Sequence, residues 1–329
     1  MHEKHDRKDL WNGDALHPFS SAVCPSADLA RKNPGYEGVQ RMDLIPVDPD
    51  DRFRIDGDYV RIMAEKRRLV GLARELVYSA TPDALFGARE ILEEAVQSIF
   101  RKYPEIFSRV GNSVLIASNN QVIPLDQQDP DPLLTLSMIV QEDITLLHRD
   151  AAGVYRLAAG CVCFPSHWSL SNKMGKSVQE IHAPVPELNN RLGAKVDTLL
   201  DRLSPARPLE RINFLINFNP RLSQFPQIEQ LEPHQRPEKL TYENIGDVLW
   251  MRNERETLSK LERSGDVIFT LKTYQTRLKD VPPATAEKLA GMHRELPDRY
   301  RDEYRKLSSE EHNLLIDYLE RRGRQSVPA

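Results

Sequence analysis

Between Gln141 and Pro186 the chain gathers residue types that a plain apolar core does not need. QEDITLL carries the adjacent acids Glu142 and Asp143, GCVCFPSHW joins Cys161 and Cys163 to Trp168, and KMGKSVQEIHAPVP runs from Lys173 to His182 and two prolines. Neutral imidazole in a fixed position is what a metal ion, in a haem or elsewhere, asks of its ligand. Gly175–Ile181 reads as one or two helical turns, and Ala183, preceding Pro184, is biased to extended backbone. His182 therefore stands at a helix end with the chain stiffened after it. The competing reading is a histidine that caps the helix C-terminus or hydrogen-bonds within the core.

Neighbouring residues on a straight strand face opposite sides. Met138, Val140, Ile144 and Leu146 share the side of Glu142, which makes Glu142 the buried carboxylate unless a β-bulge reverses the choice. A carboxylate in an apolar cleft demands a cation, such as an amine substrate. The plain alternative is a solvated acidic strand end. In MRNERETL, Arg252, Glu254, Arg255 and Glu256 crowd five positions. On a helix, Arg252 shares a side with Arg255 and with Glu256. Guanidinium forks fit carboxylates such as haem propionates or a folate tail, against the alternative of a solvated charged face. Arg211 and Asn213, on the polar face of a strand, would line the same cavity. Cys161 and Cys163 share one face of a strand and read as small buried hydrophobes, because two thiols complete neither a tetrahedral site nor an iron–sulfur cluster. Fingerprints for dinucleotides, P-loops, hydrolase elbows and zinc proteases are missing.

The elements that position these residues follow from periodicity. After Asp58 a helical pattern runs through Tyr59, Ile62, Met63, Leu69, Val70 and Ala73. A second helix opens at Thr81-Pro82, a cap followed by proline at the first helical position, and ends at Tyr103-Pro104. Asn112–Ala117, Leu134–Val140, Asp143–Leu147, Val154–Phe164, Arg211–Phe218 and Asp266–Tyr274 read as strands. Glu187–Leu203 is an amphipathic helix, 223–240 a surface loop, and Thr285–Leu296 and Ser309–Arg321 are closing helices, the last with the capping-box spacing Ser308/Glu311. Short turns between strands imply antiparallel pairing. The class is α+β: an antiparallel sheet with helices packed on it, an N-terminal helical layer and C-terminal helices.

Length and composition set the frame. At roughly 150 residues per domain, 329 residues suggest two domains or one large one with extensions. Lys plus Arg is 45 and Asp plus Glu is 49, a net charge of −4. That leaves no electrostatic footprint for nucleic acid or an anionic membrane. No apolar run is long enough for a spanning helix, the first twenty residues hold no signal-peptide core, and three cysteines suggest a reducing compartment. The expectation is a soluble, cytoplasmic protein.

Taken in order, QEDITLL, GCVCFPSHW, KMGKSVQEIHAPVP, RINF, and RNERETL followed by FTLKTY resemble the haem-dependent oxidative N-demethylase alpha-subunit-like family. The resemblance runs from about Arg41 to Lys279 and includes IDGDY and the helix ending KYPEIF. It implies a PAS-like antiparallel sheet enclosing haem b, and O2-dependent oxidation of a small secondary or tertiary amine. Formaldehyde is released, with tetrahydrofolate as its acceptor. Electrons come from NADPH through FMN and a [2Fe–2S] centre on a reductase partner. Residue by residue, His182 takes the histidine of IHxPVP and is the candidate haem ligand. Glu142 and Asp143 take the acidic pair and Arg255 the second arginine of RxERxT, as catalytic candidates. Arg211, Asn213, Trp168 and Lys173 join His182 as cofactor-binding candidates. The family's tryptophan after the RxN strand motif is Phe214 here, and the arm before Arg41 and the loop 223–240 have no match. The expected layout is an arm over 1–45, a haem-binding PAS-like domain over 46–280 and a helical extension over 281–329. A haem-binding sensor without catalysis is the alternative. An acid aimed at an open iron position favours the enzyme, and a second protein ligand there favours the sensor. A third possibility is a pseudo-enzyme that keeps the sheet without the cofactor.

Overall fold

The computed structural model describes residues 44–183, 195–230, 236–295 and 307–324. In chain order the elements are β1 (Ile45–Pro46), α1 (Tyr59–Val77), β2 (Tyr78–Ala80), α2 (Leu85–Lys102), β3 (Phe107–Val110), β4 (Ser113–Ile116), β5 (Gln121–Pro124), α3 (Pro132–Ser137), β6 (Asp143–Arg149) and β7 (Tyr155–Cys161). They continue with α4 (Val178–Ile181), α5 (Lys195–Asp201), β8 (Leu209–Asn217), α6 (Pro226–Glu229), α7 (Ile245–Val248), β9 (Trp250–Lys260), β10 (Val267–Arg277), α8 (Pro283–Glu295) and α9 (Ser309–Gly323). The strands hydrogen-bond in the order β1-β8-β9-β10-β6-β7-β2, and β3-β4-β5 form a small sheet of their own. β10–β6, β6–β7 and β7–β2 are antiparallel. The class is α+β. Among the described residues no helix is long and apolar enough to cross a membrane.

Backbone contacts divide the chain into two units, and β8, β9 and β10 each contribute residues to both. Among the described residues the first unit holds Pro46–Glu210 and Glu256–Lys272. In it α1 buries Tyr59, Ile62, Met63, Leu69, Ala73 and Val77, the stripe expected of a helix with one inward face. Lys66 lies on that same stripe and is fully buried. Tyr59 meets Phe107 edge-on at 5.5 Å and donates its hydroxyl proton to the Ile139 carbonyl at 2.7 Å. The second unit holds Arg211–Arg255 and the chain from Thr273 onward. Its core joins Ile216, Met251, Leu278, Leu289, Leu315 and Leu319. Ser308 and Glu311 form the expected capping box on α9.

Several expectations need correction. Leu134–Val140 is not a strand: Asp131 and Pro132 open the short helix α3, where proline's missing N–H is no loss. A short buried apolar run carries no period that separates helix from strand. MRNERETL is the strand β9, whose residues from Trp250 to Thr257 are all buried. Thr81 precedes Pro82 as expected, yet its side chain caps nothing. The proposed loop 223–240 contains α6, while 231–235 lies outside the described residues, as do most of the arm 1–45, Glu187–Ala194 of the amphipathic helix, and His234. His148 lies in β6 and its Nδ1 meets Asp266 at 2.8 Å.

Candidate functional site

His182 ends α4. Ser177 and Glu180 cap the helix reciprocally at its start. The Arg156 guanidinium reaches Glu180 at 3.2 Å, and Leu157 donates its N–H to the Lys176 carbonyl and accepts from the Gly175 N–H, so β7 holds the segment that leads into α4. His182 leaves helical geometry at φ −98, ψ 9, and its Nδ1 lies 2.8 Å from the Val178 carbonyl. A carbonyl only accepts, so Nδ1 carries a proton, and when the ring is neutral its lone pair lies at Nε2. The helix-end position expected for His182 is what the structure shows. The backbone bond of the competing reading is also present, and it fixes the tautomer that a metal ligand requires.

Val178 and Ile181 of this helix pack with Leu147, Leu157 and Val267, with Trp168 at the margin. The Lys173 ammonium sits 4.0 Å from the Trp168 ring centre. Leu147 and Val267 oppose each other in register, so Thr145, Phe269 and Leu271 share their side of the sheet. Leu258 packs against the same cluster. β6, β9 and β10 are interior strands, yet Thr145, Leu258, Phe269 and Leu271 are only half-buried. The sheet face beside α4 thus carries the apolar side chains of Leu258, Phe269 and Leu271 only partly covered.

The acidic pair is buried on both members, not on Glu142 alone. Asp143 turns its two oxygens to the backbone N–H groups of Cys163 and Phe164, at 2.9 and 2.7 Å. Glu142 precedes the strand and turns toward the 52–58 segment, where Oε1 accepts from the Arg54 N–H at 2.8 Å. Its Oε2 has no hydrogen-bond partner among the described residues. Lys66 donates to the Val140 and Glu142 carbonyls at 3.1 and 2.6 Å. Lys272 pairs with Asp56 at 2.7 Å and donates to Gln141 at 3.1 Å. Sequence reasoning missed this network. Lys66 was legible as a charge flanked by Ile62, Met63, Leu69 and Val70 at helical spacing. Lys272 and Asp56 gave no comparable signal. Cys161 and Cys163 are buried thiols outside any disulfide, and the hydrogen bond between them lowers the pKa of Cys161 and raises that of Cys163.

In the second unit Arg252 is fully buried. Its Nε donates to Glu254 at 2.8 Å, Nη1 to the Leu222 carbonyl at 2.8 Å and Nη2 to the Thr273 hydroxyl at 3.3 Å. The Asn213 amide donates to the other Glu254 oxygen at 3.4 Å. Strand alternation sends Arg255 to the opposite side of β9 from Arg252 and Glu254. The structure therefore separates the two arginines that a helix would have joined. Arg211 is half-buried on β8.

Among the described residues no group of three or more His, Cys, Asp or Glu side chains is disposed to hold a bare metal ion. What the fold and site define is an α+β protein with an apolar sheet face beside one tautomer-fixed histidine, a setting for a flat hydrophobic cofactor. The chain matches the model of the haem-dependent oxidative N-demethylase, alpha subunit-like family over residues 43–315, and it belongs to that family. The match extends past Lys279 through α8 into α9. The residues present fit a haem: an imidazole whose Nδ1 proton is held by a carbonyl, partly covered Leu258, Phe269 and Leu271 on the sheet, and the Lys173 ammonium over the Trp168 ring.

Proposed function

We propose that this chain is a haem-dependent oxidoreductase that carries out O2-dependent oxidative N-demethylation of a small methylated amine, releasing formaldehyde. The observation that carries the reading is the His182 ring held by the Val178 carbonyl at 2.8 Å, within the span that matches the family. Haem, when bound, supplies the reductive activation of O2 that oxidation of an N-methyl carbon needs. His182 ligates the iron through Nε2, and the Val178 carbonyl keeps the proton at Nδ1. Leu258, Phe269 and Leu271 bed the macrocycle and exclude water from its face. Lys173, steadied on the Trp168 ring, pairs with a propionate. Of the acidic pair, Asp143 is committed to backbone N–H groups, so Glu142 is the carboxylate that meets the substrate ammonium. Electrons come from NADPH through FMN and [2Fe–2S] groups on a partner chain, and tetrahydrofolate takes up the formaldehyde.

The test is an absorption spectrum of the haem-loaded protein, oxidised and reduced. His182→Ala should lose haem or shift its Soret and visible bands, and added imidazole should partly restore them by filling the vacated position. His148 and His167 serve as controls. A wild-type spectrum in His182→Ala refutes the ligand assignment.

A further inference from the structure

The first unit also contains a cleft of about 220 Å³ at the start of α2, which the proposed chemistry does not use. Leu85, Ala88, Pro130 and Pro132 give it apolar walls, and its polar lining includes the Tyr78 phenol and the Asp131 carboxylate. Tyr78 is 8% exposed, and its hydroxyl has no hydrogen-bond partner of acceptable geometry. Burial first, and then the nearby Asp131, push its pKa far above the ordinary phenol range. The Arg74 guanidinium lies 5.3 Å from the Tyr78 ring centre and bonds Asp131 Oδ2 at 2.6 Å. An aromatic ring and a carboxylate beside it are the two elements of a cation site, and Arg74 engages both from outside the residues that line the cleft. The Arg74 side chain is 51% exposed. Exposed pairs of this kind are weak, so displacing Arg74 into water reduces the affinity of an incoming cation by roughly fivefold at most.

We propose that this cleft binds a small organic ammonium ion, with its nitrogen against Asp131 and the Tyr78 ring and its alkyl carbons against Leu85, Ala88, Pro130 and Pro132. Arg74 swings outward as the ion enters. A hard metal cation is a poor occupant, because proline and aliphatic walls offer none of the several oxygen ligands it requires. An anion would pair with Arg74, but the group that lines the cleft is Asp131. The site is independent of the haem reading and uses none of its residues.

Calorimetric titration of the full chain with tert-butylammonium chloride tests the proposal, with tert-butanol as the neutral isostere. The ammonium should bind saturably at millimolar concentration, and the alcohol about tenfold more weakly or less, the effect of one charge-assisted contact. Arg74→Ala removes a surface side chain and the competing cation, so it should tighten binding a few-fold. Asp131→Asn should weaken it about tenfold, with folding checked by thermal denaturation. Both variants should keep the haem spectrum, whereas His182→Ala should leave the titration unchanged. Equal binding of the alcohol, no tightening in Arg74→Ala, or full affinity in folded Asp131→Asn overturns the proposal.

Discussion

Asp143→Asn separates a structural carboxylate from a substrate-binding one. The wild-type side chain is 3% exposed and accepts from two backbone N–H groups, at 2.9 Å from Cys163 and 2.7 Å from Phe164. Hydrogen bonds to a charged group contribute about 1.5–3 kcal/mol each. Asparagine keeps one acceptor oxygen and presents an NH2 to the second N–H, which is left buried without a partner. One bond is lost outright and the other loses its charge assistance. The expected loss is about 3 kcal/mol. Urea unfolding should be followed by Trp168 fluorescence in the first unit and by Trp250 in the second. The midpoint should fall with an unchanged m-value, first and most in the Trp168 signal. At concentrations where the variant is folded, its amine affinity and haem spectrum should match the wild type. Glu142→Gln should do the reverse, weakening amine binding about tenfold or more while the spectrum stays intact. A stability change under about 1 kcal/mol in Asp143→Asn, or lost amine affinity in the folded variant, would refute the assignment.

Asp56 gives a pH prediction: burial works to raise its pKa, but Lys272 at 2.7 Å and further hydrogen bonds outweigh burial and hold it below 3.8. A lowered carboxylate pKa contributes stability above the unfolded value that is lost as pH falls through the folded value. Acid titration of the unfolding midpoint should therefore show a loss below pH 3.8 that Asp56→Asn lacks. At neutral pH that variant should be about 3 kcal/mol less stable, because it leaves the buried Lys272 ammonium without its counter-charge. Gly87→Ala would drive a Cβ into Asp266 Oδ2 and to 3.0 Å from Leu146 Cδ1. The strain, about 1–3 kcal/mol, should exceed the gain of about 1 kcal/mol in helix propensity and lower the melting temperature. Ser308→Ala should remove the α9 cap and about 1 kcal/mol, measured by the same unfolding assay.

Much of the fold was legible because its periods are clean. β8 shows it: Ile212 and Ile216 are buried while Arg211, Asn213 and Asn217 are half-exposed, the alternation read from the letters. The α1 stripe and the α9 capping box were equally plain. The small sheet β3-β4-β5 was read only at β4, because its strands are four residues each and lack sustained alternation. The helix-end position of His182 was legible from its punctuation, one or two helical turns before prolines, and its Nδ1 proton only from the Val178 carbonyl. The partition of the acidic pair was not legible. It depends on which backbone N–H groups and which segment approach each carboxylate, and those come from residues up to 88 positions away.

β9 explains the largest misreading and why it bears on function. A charged, arginine-rich run is ordinarily a solvated face, since burying an isolated charge is unfavourable by several kcal/mol. β9 is an interior strand, and its charges are buried on both sides. That is tolerable only where each charge finds its complement, as Arg252 does with Glu254, a carbonyl and a hydroxyl. The same requirement singles out groups that break it. In the second unit Asn253 is fully buried, and neither its amide nitrogen nor its oxygen has a hydrogen-bond partner among the described residues. In the first unit Glu142 Oε2 is in the same condition. Stability alone would select against both, by about 1–3 kcal/mol for each unmatched group. An apolar residue of similar size at either position would remove that penalty. On the proposed function the carboxylate at 142 is kept because Oε2 meets a small ammonium ion, the partner whose charge matches.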